Sequence, residues 1–339
     1  MTPSRDVVVV AASAGGLQPL RMLLKQLPAD LPAALLVVLH VPATGGSALP
    51  RILDRSGPLS AATAVDGEQI KHGRVYVAPP DQHLLVIEDK VRLSRGPRQN
   101  GVRPAADALF RSAARHRGPR VTAVVLSGTL DDGALGSATV ERLGGRVVVQ
   151  DPADADYDSM PRSAMTVTRE PIVVPASALA KQVIQLATEE GGMTLSDAPQ
   201  PDEELIAEIS GMLTGAIETD TRSRSFTGLT CPDCGGPLYI LQGDRFETYD
   251  CLVGHRWSPR SLVEDHGAGV ERALWLAIRS LEERGRLTAR LADGARNRGH
   301  ALSASQFDQA TAEARRSAHL LREAANGMTT DVLVEPEEA

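Results

Sequence analysis

Val7-Val8-Val9-Val10-Ala11-Ala12-Ser13-Ala14-Gly15-Gly16 is the stretch whose reading decides the fold. A β-branched run ends in small residues, a serine and two glycines. Leu17, Leu20, Leu23, Leu24 and Leu27 then recur at three- and four-residue steps. Together these predict a buried parallel strand, a tight turn and the start of a helix. Such a turn lifts the Ser13 hydroxyl onto the C-terminal edge of a sheet, beside helix N–H groups that favour negative charge. Ser13 is therefore a nucleophile candidate, although N-capping is the commoner job for a serine in front of a helix. The spacing Ala11-x-Ser13-x-x-Gly16 also fits a dinucleotide-binding turn. That reading is the poorer one, because two of the three glycines are replaced and the next strand lacks the ribose-binding acid.

What closes the next strand is a histidine, in Ala33-Ala34-Leu35-Leu36-Val37-Val38-Leu39-His40-Val41-Pro42. A lone histidine after an apolar run is more often structural than catalytic. Here it is expected at the same level as Ser13, because strand C-termini of a doubly wound sheet converge on one edge. A third strand, Arg120-Val121-Thr122-Ala123-Val124-Val125-Leu126-Ser127-Gly128, runs into Thr129-Leu130-Asp131-Asp132-Gly133. An Asp before Gly is usually a turn or cap residue. At this edge one of the two carboxylates has a second use, holding the imidazole in the tautomer that accepts the serine proton. The predicted fold is α/β, a doubly wound and mostly parallel sheet with helices on both faces.

Ala11-Ala12-Ser13-Ala14-Gly15-Gly16, Val38-Leu39-His40-Val41-Pro42 and Leu126-Ser127-Gly128-Thr129-Leu130-Asp131-Asp132-Gly133 resemble the catalytic domain of the CheB-type chemotaxis protein-glutamate methylesterases. Asp66-Gly67-Glu68, residues 75–83, 103–110, 150–152 and 160–164 match in order, so the resemblance covers residues 5–190. It implies Ser13 as nucleophile, His40 as base and Asp132 as orienting acid, and Asp131→Asn is expected to matter little. The family usually has Gly-Met-Gly-Asn-Asp-Gly at the acid turn, with the methionine near the oxyanion site. Thr129 stands at that position, so Ala14 and Thr129 are the candidate oxyanion residues. Such enzymes normally carry a receiver domain first. Here the first strand begins at about Asp6, which is expected to leave no room for one or for its phosphorylation control in cis.

With 339 residues, two domains are more plausible than one, and a net charge of −7 argues against general phosphate-backbone binding. Ten aromatic residues are too few for a base-stacking surface. No apolar run approaches bilayer length and residues 1–6 do not form a signal peptide, so no membrane insertion and a cytoplasmic location are expected.

Linker composition appears near residues 188–203, and Leu205, Ile206, Ile209, Met212 and Leu213 then suggest one face of a short helix. All three cysteines follow, in Cys231-Pro232-Asp233-Cys234 and Cys251-Leu252-Val253-Gly254-His255. An odd count argues against a disulfide framework. Reduced free thiols or a redox Cys-x-x-Cys are the alternatives, but three thiolates and an imidazole suit tetrahedral zinc. With Cys231, Cys234, Cys251 and His255 all bound, the site is closed and structural. A β-hairpin is predicted between the knuckles, turning near Gly243-Asp244. Val270, Leu274, Ile278, Leu281, Thr288 and Leu291, then Phe307, Ala310, Ala314, Ala318 and Leu321, predict an antiparallel helical hairpin with Ser303 as a cap. The expected organisation is a catalytic domain over 1–190, linker and short helix over 191–225, and a zinc-ribbon-like module over 226–264. A helical hairpin over 265–328 and an acidic tail over 329–339 complete it.

The Ser/His/Asp set predicts a serine hydrolase of carboxylic esters, and the resemblance implies that it demethylates glutamate γ-methyl esters on a chemoreceptor-like protein. Glutamine deamidation is chemically adjacent, because the same acyl-enzyme forms with ammonia leaving. The expected partners are that methylated protein, no nucleic acid, and a second copy of the chain through the C-terminal helices. The competing reading is a silent scaffold that binds a signalling partner through its zinc-helix tail.

Overall fold

The computed structural model describes residues 5–40, 48–189, 193–214, 225–242 and 246–327. Val41 and Pro42, linker residues 190–192, the Gly243-Asp244 turn and the tail at 329–339 lie outside them. The first ten elements are β1 (Val7–Ala12), α1 (Leu17–Gln26), β2 (Ala34–Leu39), α2 (Leu49–Asp54), β3 (Ser60–Thr63), β4 (Arg74–Val77), β5 (His83–Ile87), β6 (Lys90–Ser94), α3 (Ala106–Arg117) and β7 (Val121–Val125). Then come α4 (Ala134–Arg142), β8 (Arg146–Gln150), α5 (Ser159–Val167), β9 (Ile172–Val174), α6 (Leu179–Thr188) and α7 (Glu203–Thr214).

Seven strands form one parallel sheet in the order β3-β4-β2-β1-β7-β8-β9, as the continuous apolar runs predict. Every residue of β1 is buried because alternate side chains enter two different cores. Val7, Val9 and Ala11 pack with Leu109 and Phe110 of α3, Val140 of α4 and Met160 of α5. Val8, Val10 and Ala12 pack with Leu20, Leu23 and Leu24 of α1 and with Leu179 and Val183 of α6. Each such aliphatic side chain contributes about 1.5–3 kcal/mol when fully buried. At the opposite end of β1, buried Asp6 is held by Arg117 and Arg120, which anchors the strand away from the site.

α7 adds Leu205, Ile209 and Met212 to the first core, whereas Ile206 of the predicted face is exposed. Its main-chain oxygen accepts from Arg115 instead, at 3.0 Å. The cysteine-bearing segment is an antiparallel sheet of β10 (Ser225–Thr230), β11 (Pro237–Gln242), β12 (Glu247–Cys251) and β13 (Arg256–Trp257). The chain divides into two compact units, one ending at Ser261 and the other beginning at Leu262, so both sheets belong to the first.

α8 (Pro259–Asn297) and α9 (Ala301–Gly327) are the long helices. Within the second unit they run antiparallel, with Thr288 Oγ1 2.7 Å from Thr311 Oγ1 and Arg296 bonded to Asp308 at 2.6 Å. Ala292 and Ala295 of α8 and Ala304, Ala314 and Ala318 of α9 are buried, while Val270 and Leu291 of the predicted stripe are half-exposed. Small side chains let the backbones approach, and that approach puts the larger residues on the flanks. Ser303 lies inside α9, not at its cap. Gly299, at φ +76°, reverses the chain earlier, with His300 N–H donating to Ala295 O at 2.9 Å. Among the described residues no helix is long and apolar enough to cross a membrane.

Candidate active site

Ser13 follows β1 and His40 follows β2, and the register pairs Ala12 with Leu39, so both residues leave the sheet side by side. β1 lies where the strand order reverses, between β2 and β7, the position at which open α/β sheets form a crevice. Pairing continues one step past the strands. His40 N–H donates to Ala12 O at 3.1 Å, and Ser13 N–H donates to Ser127 O at 3.0 Å.

Asp132 arrives from the turn between β7 and α4. Its Oδ2 lies 2.8 Å from His40 Nε2, with the carboxylate 4% exposed and the imidazole 19%. The first N–H groups of α3 also reach it, Ala106 to Oδ2 at 2.6 Å and Asp107 to Oδ1 at 3.1 Å. Burial opposes ionisation, but the His40 bond and these backbone donors outweigh it and hold Asp132 below the ordinary carboxylate range. An ionised Asp132 assigns the ring proton to Nε2 and leaves Nδ1 as the basic nitrogen. Among the described residues no hydrogen bond joins Ser13 Oγ to His40. Such contacts commonly close only when substrate is bound. The Ala14 and Thr129 N–H groups donate to no acceptor among the described residues.

The Ser13 turn is built from residues that local sequence reading could not assign. Ser127 Oγ donates to Ala14 O at 2.9 Å and accepts from Tyr157 N–H at 3.0 Å, and Ser127 N–H donates to Gln150 Oε1 at 2.9 Å. Gly15 has φ +72°, and a Cβ there would stand 2.6 Å from Ser127 Oγ. At Gly128 a Cβ would meet Met160 Sδ at 2.1 Å and Ser13 Cβ at 2.9 Å, so only glycine lets the two turns touch. Leu130 stands where the resemblance expects glycine and adopts φ +61°, a strained conformation costing roughly 1–3 kcal/mol for such a residue. Asp107 Oδ1 accepts Gly133 N–H at 3.0 Å and Gly136 N–H at 2.7 Å, fixing the start of α4.

His83 is fully buried behind this turn, its Nε2 donating to Pro97 O at 3.0 Å and its Nδ1 accepting from Ala105 N–H at 3.2 Å. Both nitrogens are satisfied only in the neutral ring, and burial lowers its pKa to about 4. Between the ordinary value near 6.5 and 4, the unfolded chain binds a proton that the folded one refuses. The fold therefore loses up to about 3 kcal/mol as pH falls through that window. In His83→Gln the drop in urea midpoint between about pH 7 and about pH 4.5 should shrink markedly. An unchanged drop would show that His83 is not held neutral.

Cys231, Cys234, Cys251 and His255 form a cluster able to hold a metal ion, their ligand atoms all within 4.8 Å of one another. Gly235 N–H donates to Cys231 O at 2.7 Å and Gly254 N–H to Cys251 O at 3.0 Å, which folds each pair into a knuckle. Cys234 Sγ is 3.7 Å from Cys251 Sγ, and Cys251 Sγ is 3.4 Å from His255 Nδ1. Zinc bonds of about 2.3 Å to sulfur and about 2.0 Å to nitrogen span tetrahedral edges of roughly these lengths. A cavity of about 420 Å³ between this module and the acid turn touches Asp131, Phe246 and Arg260 but neither Ser13 nor His40. It is a joint, not the substrate cleft.

Residues 8–183 match the family model of the CheB methylesterase. A Methanosarcina mazei protein-glutamate methylesterase/protein-glutamine glutaminase is 34% identical over 193 residues, 55% of this chain and 53% of that protein. The chain thus spans about half the length of such relatives. A Leptospira interrogans protein provisionally given the same name is 36% identical over 182 residues, 53% of this chain but 94% of its own. The crystal structure of the Thermotoga maritima CheB methylesterase catalytic domain superposes with a TM-score of 0.51 at 32% identity, covering 55% of this chain and all of that one.

Proposed function

The chain belongs to the CheB methylesterase family, and on that premise we propose that it hydrolyses glutamate γ-methyl esters on a protein substrate. The observation that carries the reading is the convergence of Ser13, His40 and Asp132 on one sheet edge, with Asp132 buried and bonded to the imidazole. Ser13 Oγ attacks the ester carbonyl while the basic His40 nitrogen takes its proton, and Asp132 stabilises the imidazolium. The oxyanion draws on the Ala14 and Thr129 N–H groups. His40 returns the proton as methanol leaves, and then activates the water that releases glutamate. A glutamine substrate follows the same path with ammonia leaving.

The same proposal assigns a structural zinc to Cys231, Cys234, Cys251 and His255, since four protein ligands leave no open position. It places the chain in the cytoplasm, facing a methylated chemoreceptor-like protein. Half-exposed or exposed Trp275, Leu276, Leu287 and Leu302 on the second unit support self-association there. A fluorophosphonate probe should label Ser13, and the wild-type chain should release methanol from a glutamate-methylated protein. No labelling of folded protein would leave the scaffold reading in its place.

A further inference from the structure

Asp131, next to Asp132, makes no hydrogen bond to the imidazole among the described residues. Its Oδ1 accepts the Ser261 hydroxyl at 2.6 Å, and its main-chain oxygen accepts Ala134 N–H at 3.0 Å, so it is pinned on both sides. Ser261 is 2% exposed and lies in the first turn of α8, where its N–H donates to Ser258 Oγ at 3.0 Å. Ser258 N–H in turn donates to Asn100 Oδ1 at 2.8 Å, and Asn100 Nδ2 donates to Asp107 Oδ2 at 3.2 Å. Asp107 N–H then donates to Asp132 Oδ1 at 3.1 Å. The hydrogen bonds close a circuit. It leaves the acid turn at Asp131, passes through Ser261, Ser258 and Asn100, and returns at Asp132.

The far side of the circuit is carried by the cysteine-bearing module. Asn100 N–H donates to Arg256 O at 2.7 Å, and Arg256 follows the ligand residue His255 directly. The Arg256 guanidinium is buried against Asp250 at 2.6 Å and Glu208 at 2.7 Å. Trp257 is fully buried, and a Cβ on Gly101 would lie 3.0 Å from its ring. Arg260 adds a bond to Ser159 Oγ of α5 at 3.1 Å. Whatever orders Cys251 through Arg256 therefore also seats Ser258 and Ser261 on the turn.

We propose that Asp131 is a positioning residue, through which the folded Cys/His module clamps the acid turn and sets the Asp132–His40 bond. This rests on the esterase reading above. A carboxylate accepts from the hydroxyls of a helix's first turn and is favoured at that helix's N-terminus. Loss of the clamp leaves Ser13, His40 and Asp132 in place but loosely aligned, which lowers turnover more than binding.

The test uses the full chain and fluorophosphonate and small-ester kinetics. Asp131→Ala and Ser261→Ala should each lower kcat about tenfold with KM nearly unchanged, and the double variant should fall no further. Asp131→Asn keeps an acceptor oxygen and should recover most of the loss. Chelation of wild type should bring it to the Ser261→Ala rate and leave Ser261→Ala itself unmoved. The His40 ring N–H resonance should shift in both alanine variants, a readout independent of turnover. Folded variants with wild-type kcat and an unshifted His40 resonance would overturn the clamp while leaving the esterase reading intact. A wild-type chain that is never labelled at Ser13 defeats the esterase reading, and the resonance then decides the clamp.

Discussion

Ser13→Ala should reduce ester hydrolysis by roughly four orders of magnitude or more while leaving the melting temperature close to wild type. The two halves of that expectation have separate physical sources. The hydroxyl is the only atom removed, and it supplies the acyl-accepting oxygen. Ser13 holds the fold through its backbone, by the N–H bond to Ser127 O at 3.0 Å and the Gly16 N–H bond to Ser13 O at 3.0 Å, both of which alanine keeps. His40→Gln should fall nearly as far, since His40 is the imidazole that Asp132 bonds. Asp132→Asn should lose somewhat less activity but more stability. Its carboxylate accepts Ala106 and Asp107 N–H on separate oxygens, and an amide can replace only one of them. Purified Ser13→Ala that still releases methanol at a substantial rate would sink the assignment. So would an Asp131 variant that is dead beside a fully active Asp132 variant.

The second large effect concerns the cysteine cluster. Freshly purified chain should carry one zinc, and Cys231→Ser or Cys251→Ser should lose both the metal and the order of the β10–β13 sheet. Structural zinc contributes on the order of 10 kcal/mol to modules of this size, far beyond what the few buried side chains of a short four-stranded sheet supply. Trp257 is a built-in reporter. It is 1% exposed whereas Trp275 is 44% exposed, so chelation should red-shift the emission by freeing the one buried indole. The parallel sheet has its own two cores and should persist. Residual activity on a small ester should match that of Ser261→Ala. Elemental analysis that finds no zinc in unchelated protein would refute the metal claim.

Much of the catalytic half was legible because its signals are local. A run such as Val7 to Ala12 or Ala34 to Leu39 can be satisfied only by burial on both sheet faces, which implies parallel strands covered by helices. Once the strands are parallel, their C-termini share an edge; Ser13 and His40 follow β1 and β2 directly, and Asp132 lies in the turn after β7. The Cys/His cluster able to hold a metal was legible for a related reason, since two knuckles declare themselves by spacing within four or five residues. The helical hairpin was legible only in outline. The alanines of the second stripe, Ala314 and Ala318, are buried as read. The first stripe was read through large side chains such as Val270 and Leu291, whereas close approach on that helix is made by Gly285, Ala292 and Ala295, which carry little hydrophobic signal.

By itself, then, the amino-acid sequence determined the parallel sheet and the shared edge near which Ser13, His40 and Asp132 stand, because periodicity and strand ends are properties of neighbouring positions. Tertiary structure alone decided what the second carboxylate of the pair does. Residue type alone does not tell Asp131 from Asp132, and only the family resemblance named Asp132 as the orienting acid. One turns inward to the N–H groups of Ala106 and Asp107, and the other meets a hydroxyl 130 positions away at Ser261. The same holds for His83, whose neutral state depends on Pro97 and Ala105 closing over it. Polar partners of this kind are chosen by the backbone geometry that brings remote segments together, and no local pattern of residues records that choice.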